Sequence, residues 1–416
     1  MERILNRLQK TVNNVSNLQI QYGVAITKTQ QDLSICEEFN MTKPLTIGVD
    51  VRDLKVAKTG IKTYLEELCK EFKKMDGKDI QFHFLDTSIP IYTGRNKLLK
   101  WVEHARYQIW KQVVLPVKAW SKKCDIVFCV DNCVPFIHLG YKTIHSIHDA
   151  FCFESPEQYG KLWLWVYKNT TTPGARRCPY VITATSHGKK QIIHFMGIPT
   201  DKLIVVPDGP KRISYQKNVN EQVPITKSFN IMPSNYILHV GSMFKRKNII
   251  TLIYAFNKIK KTGYPDLKLV LAGPLPANKL ENDQGLILDA IETNGLKSDV
   301  IITGYLTDQE VGQLYENALI YVFPSINEGF GLPILEAFEH NLPVLVADNT
   351  CLPEVGGDAV LTFNPFDLDD IFYAIKTVLD NPELQKEMIL KGQERLKDFS
   401  WQKTALQIVE VFKKAV

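Results

Sequence analysis

The sequence predicts an α/β protein with two domains, each built on a parallel β-sheet. Its 416 residues are too many for one ordinary hydrophobic core. Short apolar segments alternate with amphipathic helical segments, and this alternation occurs twice along the chain. A polar stretch with three prolines, residues 210–235, separates the two series, and we interpret it as the connection between the domains.

In the first series the apolar segments lack polar alternation, so each strand is expected to be covered on both faces, as in a parallel sheet with helical crossovers. Amphipathic helices are predicted at residues 60–72 and 186–195. The predicted strands are residues 45–49, 79–85, 125–130, 142–148, 180–185 and 203–207.

The second series repeats this pattern, with helices between the strands and from about residue 367 to the C-terminus. The predicted strands are residues 236–242, 267–273, 299–304, 319–324, 343–348 and 359–363. We therefore predict Rossmann-like domains at 45–225 and 226–398, and a final helix at 399–416 that packs back towards the first domain. Ligands are expected in the cleft between the domains, at the carboxyl ends of the strands.

Residues 1–44 fall outside both series. Their apolar side chains, from Ile4 to Leu33, recur every three or four residues, which is one stripe of a helix. Two interpretations of this N-terminal helical extension stand side by side. It packs on its own domain, or it mediates oligomerisation or binds a partner.

Charge and composition narrow the class of protein. With 50 basic and 45 acidic residues the net charge is +5, which suits an anionic small ligand or membrane surface and is too weak to predict a nucleic-acid partner. The eight cysteines include no C-x-x-C pair, which favours reduced thiols over a zinc site or disulfide framework. No apolar run approaches the roughly 20 residues that span a bilayer. The N-terminus lacks the apolar centre of a signal peptide, so we expect a cytoplasmic protein.

The stretch PSINEGFGLPILEAF, residues 324–338, carries the most chemical information. It leaves a predicted strand and enters a predicted helix whose first turn contains Pro333. Gly329 and Gly331 let backbone amides approach a ligand without a Cβ in the way. The free N–H groups and positive dipole end of the helix favour an anion. The stretch therefore predicts an anion site in the cleft.

Two glutamates flank these glycines. Carboxylates are strong acceptors for sugar hydroxyls, and Glu328 and Glu336 could hold two different sugars. The alternative is that Glu336 only complements the helix dipole and that Glu328 is solvated.

Several segments in register resemble the retaining GT-B glycosyltransferases of family 4, over roughly residues 45–416. EGFGLPILEA is similar to the E-x7-E signature of that family, and residues 236–256, 303–325 and 349–367 resemble its phosphate segment and the stretches around the signature. In the first half, GVDVRDL, SIHDAFCFESPE and TATSHGKKQIIHFMGIPTDKLIVVPDG resemble the acceptor-side segments. The resemblance implies the GT-B fold and a nucleotide diphosphate sugar as donor substrate.

The resemblance also implies a role for each matching residue. Glu336 would hold the ribose hydroxyls, Glu328 would bind the transferred sugar, and His148 would approach that sugar. Arg246 and Lys247 would neutralise the diphosphate leaving group. The remaining donor-binding positions would be Gly60, Ser325, Phe330, Gly331 and Leu332 around the sugar and phosphates, and Gly304, Tyr305 and Leu306 near the base.

Fixed cations and helix N–H groups can stabilise the charge that develops on the leaving oxygen, so we expect no metal and no cofactor. Many relatives carry Arg directly after the glycine of the phosphate segment, whereas this chain has Ser242, so more of the charge falls on the basic pair. Three simpler alternatives stay open at this stage. Residues 245–247 are a solvated helix start, His148 is a structural partner of Asp149, or Gly60 is only a helix cap.

The predicted function is that of a retaining hexosyltransferase that extends a glycan, such as a surface polysaccharide or a lipid-linked oligosaccharide. The segment SIHDAFCFESPE resembles the corresponding segment of mannosyltransferases of bacterial surface polysaccharide assembly, and this resemblance favours GDP-mannose as donor. The alternatives are a UDP- or ADP-sugar donor, a GT-B sugar-nucleotide epimerase or phosphorylase, and a non-catalytic nucleotide-sugar-binding subunit.

Residues 95–123 form a basic, aromatic segment with eight basic residues, one acidic residue and three tryptophans. The resemblance and the physics of interfacial helices allow peripheral contact with the inner face of the plasma membrane. The alternative is a core-facing stripe of Trp101, Val102, Ala105, Ile109 and Val113, in a helix that Pro116 breaks.

Overall fold

A computed structural model describes residues 43–57, 60–92, 94, 96–131, 133–211, 225–275 and 283–416. The predicted helical extension at residues 1–44 lies outside the described residues except for its last two positions, and so does the middle of the predicted connection. Residues 45–416 form one compact unit that contains two parallel sheets.

The first sheet contains six parallel strands in the order β2-β1-β3-β4-β5-β6. All six strands predicted from the first apolar series are confirmed. The strands are β1 Leu45–Asp50, β2 Ile80–Leu85, β3 Ile126–Cys129, β4 Lys142–Ser146, β5 Val181–Thr183 and β6 Leu203–Val205. The inner strands β3 and β4 are buried almost throughout, as expected for a sheet that helices cover on both faces.

Helices connect these strands. They are α1 Gly60–Met75, α2 Lys97–Ile109, α3 Leu115–Ser121, α4 Phe151–Glu154, α5 Lys161–Arg177 and α6 Ser186–Met196, with 3-10 turns at Arg52–Lys55, Pro156–Gln158 and Thr200–Lys202. Both predicted helices of this half, α1 and α6, are present. The Thr185 hydroxyl caps α6 by accepting the N–H of Gly188 at 3.0 Å.

The predicted break at Pro116 is wrong. Helix α2 continues through a π-helical turn at Trp110–Val114 into α3, whose first turn contains the proline. A π turn widens the backbone locally, and proline needs no donor in a first helical turn, so the two together let the helix pass the proline.

The second sheet also has six parallel strands, in the order β12-β11-β10-β7-β8-β9. All six strands predicted from the second series are confirmed. The strands are β7 Tyr236–Val240, β8 Lys268–Ala272, β9 Val300–Gly304, β10 Ile320–Phe323, β11 Val344–Ala347 and β12 Val360–Phe363.

Eight helices accompany this sheet in the described part of the chain. They are α7 Ile225–Ser228, α8 Ile249–Lys261, α9 Gln284–Thr293, α10 Asp308–Asn317, α11 Leu332–Glu339, α12 Leu352–Gly356, α13 Leu368–Leu379 and α14 Pro382–Leu396, with 3-10 turns at Lys245–Lys247 and Gly357–Ala359.

The last helix, α15 Trp401–Ala415, lies on the first sheet rather than the second. Its Phe412 ring packs 5.3 Å from that of Phe128 on β3. The Trp401 indole N–H donates to the carbonyl of Pro210 at 2.7 Å, where the chain leaves the first half. Pro210, near the end of the first half, and Trp401, where the chain returns to it, are therefore in contact. The predicted domain limits themselves stay a prediction.

Among the described residues, no helix combines the length and the apolar character needed to cross a bilayer.

Candidate active site

The loop between β10 and α11 lies against the first half of the molecule. A Cβ at position 329 would lie only 2.9 Å from the carbonyl oxygen of His148, so Gly329 allows an approach that no larger residue permits. Gly331 has a φ of +100° and directly precedes α11, and Pro333 lies in the first turn of that helix. The free N–H groups of α11 therefore begin where the two halves meet.

Glu328 is the centre of a compact charged cluster. Its side chain is buried, and Oε1 accepts from the Lys247 ammonium at 2.5 Å and from Arg246 Nη1 at 3.2 Å. Burial disfavours the ionised carboxylate, but the charges of Lys247 and Arg246 outweigh it and hold the pKa of Glu328 below its usual range. The alternative of a solvated Glu328 is wrong. Ser325 is buried beside this carboxylate, and its hydroxyl helps to lower the same pKa.

The two cations come from the 3-10 turn after β7. Lys247 is 7% exposed, and burial lowers its pKa although Glu328 opposes that shift. The Arg246 guanidinium lies 5.4 Å from the ring centroid of Phe151 in the first half. A solvated helix start therefore describes only Lys245, which is exposed. The carbonyl of Arg246 accepts the N–H of Ile326 at 2.8 Å, which joins this turn to the loop after β10.

Glu336 lies further along α11, 7% exposed, and accepts the hydroxyl of Tyr315 at 3.0 Å on Oε2. Burial raises the pKa of this carboxyl, and the charge of Lys211 partly offsets the effect. The helix dipole acts most strongly on residues of the first turn. Glu336 is the fifth residue of α11 and lies past that turn, so the structure disfavours the alternative that it only complements the helix dipole. A buried carboxylate with a neutral partner is suited to accept from hydroxyl groups.

The first half contributes Gly60 and His148 to the facing wall. Gly60 is the first residue of α1, and a Cβ there would lie 3.9 Å from the Leu332 side chain at the start of α11, so the two helix N-termini face each other. His148 follows β4, and its Nε2 has no hydrogen-bond partner among the described residues. Burial lowers the pKa of His148 to about 4. The Asp149 carboxylate instead accepts the N–H of Phe151 at 3.1 Å.

Side chains from other parts of the second half hold the backbone of the loop at Glu328 and Phe330. The thiol of Cys351, which sequence reasoning did not single out, donates to the carbonyls of Glu328 at 3.1 Å and Phe330 at 3.3 Å. The Phe330 ring packs edge-on against Phe399 at 5.9 Å. These contacts fix the backbone on both sides of Gly329 and so set where the loop amides lie.

The loop at Gly304, Tyr305 and Leu306 is not part of the central cluster. It ends β9, the outer strand of the second sheet, and Tyr305 is 81% exposed. None of the described contacts joins this loop to Glu328, and Leu306 packs on the core of its own half.

The sequence analysis did not predict the hydrogen bonds that join the two halves. Asn327 donates to the Glu154 carboxylate at 2.5 Å, and Thr185 donates to the carbonyl of Gly329 at 3.2 Å. Glu354 accepts the N–H groups of Ser186 at 2.7 Å and His187 at 3.1 Å, and so caps α6 from the other half. The sequence did contain a signal for a helix start near Glu354. LPEV at residues 352–355 repeats the Leu-Pro pair with which α11 begins in LPIL at residues 332–335.

The structure has two six-stranded parallel sheets, and the carboxyl ends of their strands face each other. A charged cluster and a helix N-terminus lie between them. This arrangement is the GT-B fold of glycosyltransferases. Within this fold, residues 224–395 match the model of the family described as glycosyl transferases group 1.

Two curated relatives are mannosyltransferases by name. The chain is 26% identical over 276 residues to O-antigen chain mannosyltransferase B of Escherichia coli, covering 66% of this chain and 71% of that protein. It is 28% identical over 285 residues to the serotype-specific mannosyltransferase WbdA of Escherichia coli, covering 67% of this chain but only 34% of that protein. The chain thus spans about a third of the length of the second relative.

Among solved structures, the sucrose-phosphate synthase of Thermosynechococcus elongatus is similar, with a TM-score of 0.66 and 17% identity over 89% of this chain and 98% of that one. A glycosyltransferase from Rickettsia africae has a TM-score of 0.60 and 16% identity, covering 90% of this chain and 99% of that one. These likenesses establish the GT-B fold predicted from the sequence.

Proposed function

We propose that the protein transfers a hexose from a nucleoside diphosphate sugar to a sugar hydroxyl of a glycan, with retention at the anomeric carbon. The observation that carries this proposal is the cluster of Glu328, Arg246 and Lys247 beside the N-terminus of α11. The cations and helix N–H groups suit a diphosphate, while the carboxylate suits the hydroxyls of the adjoining sugar.

In the proposed reaction the bond between the anomeric carbon and the diphosphate oxygen breaks, and the acceptor oxygen bonds to that carbon on the same face. The acceptor proton passes to the leaving phosphate. Negative charge grows on the leaving oxygen as the bond breaks, so Lys247 and Arg246 act most strongly in the transition state. Glu328, buried beside them, would hold the transferred sugar in place.

Mannose is the proposed sugar and GDP-mannose the proposed donor. The support is the names of the two Escherichia coli relatives, together with the similarity of residues 146–157 to mannosyltransferases. UDP- and ADP-sugars remain the alternative donors. Function without a metal or cofactor, a cytoplasmic location and the lack of a nucleic-acid partner stay predictions.

The test is turnover of GDP-mannose by the purified protein. Slow release of GDP and mannose without acceptor is expected, and ¹H NMR of the product formed with a mannoside acceptor should give an α-linked sugar. An inverted product would overturn the retaining mechanism. Donor binding without any turnover would favour the non-catalytic subunit, and pyridoxal phosphate absorbance would favour a phosphorylase.

We further propose that residues 95–123 contact an anionic membrane surface. The stripe read as core-facing is exposed instead: Trp101 is 66%, Ile109 55% and Val113 53% exposed. Leu98, Val117 and Trp120 continue the same apolar face. Exposed Lys100 lies on this helix, and exposed Lys122 and Lys123 directly follow its end, whereas Lys111 is buried. Exposed apolar side chains beside lysines match an anionic bilayer surface.

Co-sedimentation with phosphatidylglycerol vesicles tests the membrane proposal. Binding should fall when Trp101 and Trp120 are both replaced by alanine, and should be weak to phosphatidylcholine. Tyr373→Ala removes an aromatic ring of the second half that is 53% exposed and serves as the control. Equal binding of the double variant and the wild type would contradict the proposal.

A further inference from the structure

Three successive carbonyl groups of the loop after β10 are held from two sides. The thiol of Cys351, in the second half, lies 3.1 Å from the carbonyl oxygen of Glu328 and 3.3 Å from that of Phe330. The carbonyl between them, that of Gly329, accepts the hydroxyl of Thr185 in the first half at 3.2 Å. In a planar trans peptide the N–H points opposite to the carbonyl, so these contacts also fix the directions of the loop amides.

Helix α12 connects the two sides. Cys351 is its N-cap residue, and three residues further on Glu354 reaches across to the first half. The two oxygens of the Glu354 carboxylate accept the N–H groups of Ser186 at 2.7 Å and His187 at 3.1 Å, directly after Thr185. One short helix therefore holds the loop after β10 through its N-cap and the start of α6 through its glutamate.

Helix α12 is itself anchored within the second half. Arg395 on α14 donates from Nη2 to the carbonyl of Glu354 at 2.8 Å and from Nε to that of Val355 at 3.1 Å. Just before the helix, the Asn349 side chain donates to the carbonyl of Ile326, in the loop after β10, at 3.0 Å. The backbone that carries Glu354 is therefore tied to the loop at more than one point.

The start of α6 does not need Glu354 as a cap. The Thr185 hydroxyl already accepts the N–H of Gly188 at 3.0 Å and caps this helix from its own half. Thr185 is buried, whereas Glu354 and Ser186 are exposed at the rim of the contact. A carboxylate is favourable at a helix N-terminus, so the second cap adds a link between the halves rather than the beginning of a helix.

We propose, on the basis of the proposed function, that Glu354 is a positioning residue for the transfer step. By holding the start of α6 against the second half, it keeps Thr185 on the carbonyl of Gly329 and so fixes the loop amides beside the donor diphosphate. It acts through Thr185 and not on the substrate itself. A displacement of about 1 Å can lower a rate by about 100-fold, so an exposed link at the rim can control turnover.

The test compares turnover of GDP-mannose by three variants. Glu354→Ala removes the link and should lower kcat by about tenfold or more, while KM and GDP affinity stay within about twofold of the wild type. Glu354→Gln keeps an oxygen that can accept an N–H and should restore most of kcat. Asn381→Ala is the matched control, because Asn381 caps α14 at the end far from Arg395 by accepting the N–H of Leu384 at 3.1 Å. It should keep the wild-type kcat.

Hydrogen exchange gives a readout that a purely structural cap would not change. In the wild type, GDP should slow amide exchange at the start of α6, and in Glu354→Ala it should leave that exchange unchanged.

Equal kcat in Glu354→Ala and Asn381→Ala, a loss confined to KM, or a GDP effect on α6 that survives without Glu354 would overturn the positioning role and leave the proposed function standing. A wild type that neither binds GDP nor turns over GDP-mannose would overturn the proposed function, and this role of Glu354 with it.

Discussion

The ammonium of Lys247 lies 2.5 Å from the carboxylate of Glu328, and both side chains are about nine-tenths buried. The pair joins the turn after β7 to the loop after β10, so it brings the charges of two strands to the start of α11. Neither charge would persist there alone, because a buried ion without a partner is strongly destabilised. If the proposed donor binds here, we expect its diphosphate to compete with Glu328 for the Lys247 ammonium.

The first prediction concerns Glu328→Gln. Removing this carboxylate frees Lys247 and Arg246 for an anion, so we expect GDP to bind at least as tightly as in the wild type, while sugar transfer falls by about 100-fold or more. Calorimetry and turnover measure the two effects separately. A parallel loss of GDP affinity and turnover would contradict the competition between carboxylate and diphosphate.

The second prediction compares the effects on kcat of replacing Lys247 and Lys245, two lysines of the turn after β7. Lys247→Ala should mainly lower kcat, because the charge matters most as the leaving group departs. Lys245→Ala removes a neighbouring lysine that is exposed and should leave kcat within about twofold. Steady-state kinetics check both. An effect of Lys247→Ala on KM alone would indicate uniform ground-state binding instead.

The third prediction tests the ribose role of Glu336. Glu336→Ala should weaken donor binding by about 1.5–3 kcal/mol, the scale of lost hydrogen bonds to a charged group. Glu339→Ala, on the same helix but exposed, is the matched control. Unchanged nucleotide affinity of Glu336→Ala in calorimetry would exclude the ribose role.

The fourth prediction is a pH dependence of stability at Asp208. This residue is 5% exposed, its Oδ1 has no partner among the described residues, and burial raises its pKa from 3.8 to about 8. The folded protein therefore keeps a proton that the unfolded chain loses, so stability falls as pH rises from about 4 to about 8.

Asp208→Asn should remove this loss, since the amide stays neutral. The variant should melt higher than the wild type at pH 8, and the difference should shrink towards pH 4.5. Scanning calorimetry at several pH values gives the comparison. A difference in melting temperature that is constant with pH would show that Asp208 has an ordinary pKa.

The sequence predicted all twelve strands because buried parallel strands are short, apolar and bounded by turn residues. It also predicted the start of α11 correctly, since Pro333, two residues after Gly331, is a local signal for the first turn of a helix. Of the two interpretations of residues 95–123, the core-facing stripe is wrong, because periodicity identifies an apolar face but not what covers it. Here Trp110 and Lys111, from the π turn, face inward instead.

Contacts between the halves could not be predicted, because they join residues far apart in sequence without a periodic signal. Asn327 and Glu154 are separated by 173 residues, and Glu354 and Ser186 by 168. Tyr315 as the partner of Glu336 was missed for the same reason, since nothing local in α10 marks its hydroxyl.

A thermal-shift screen of GDP-mannose, UDP-glucose and ADP-glucose tests most directly whether this site binds a nucleoside diphosphate sugar. A ligand that binds only the folded state raises the melting temperature by mass action. We predict the largest increase with GDP-mannose, and a smaller one in Glu336→Ala than in Glu339→Ala. No increase with any of the three sugars, or an equal increase in both variants, would contradict the account.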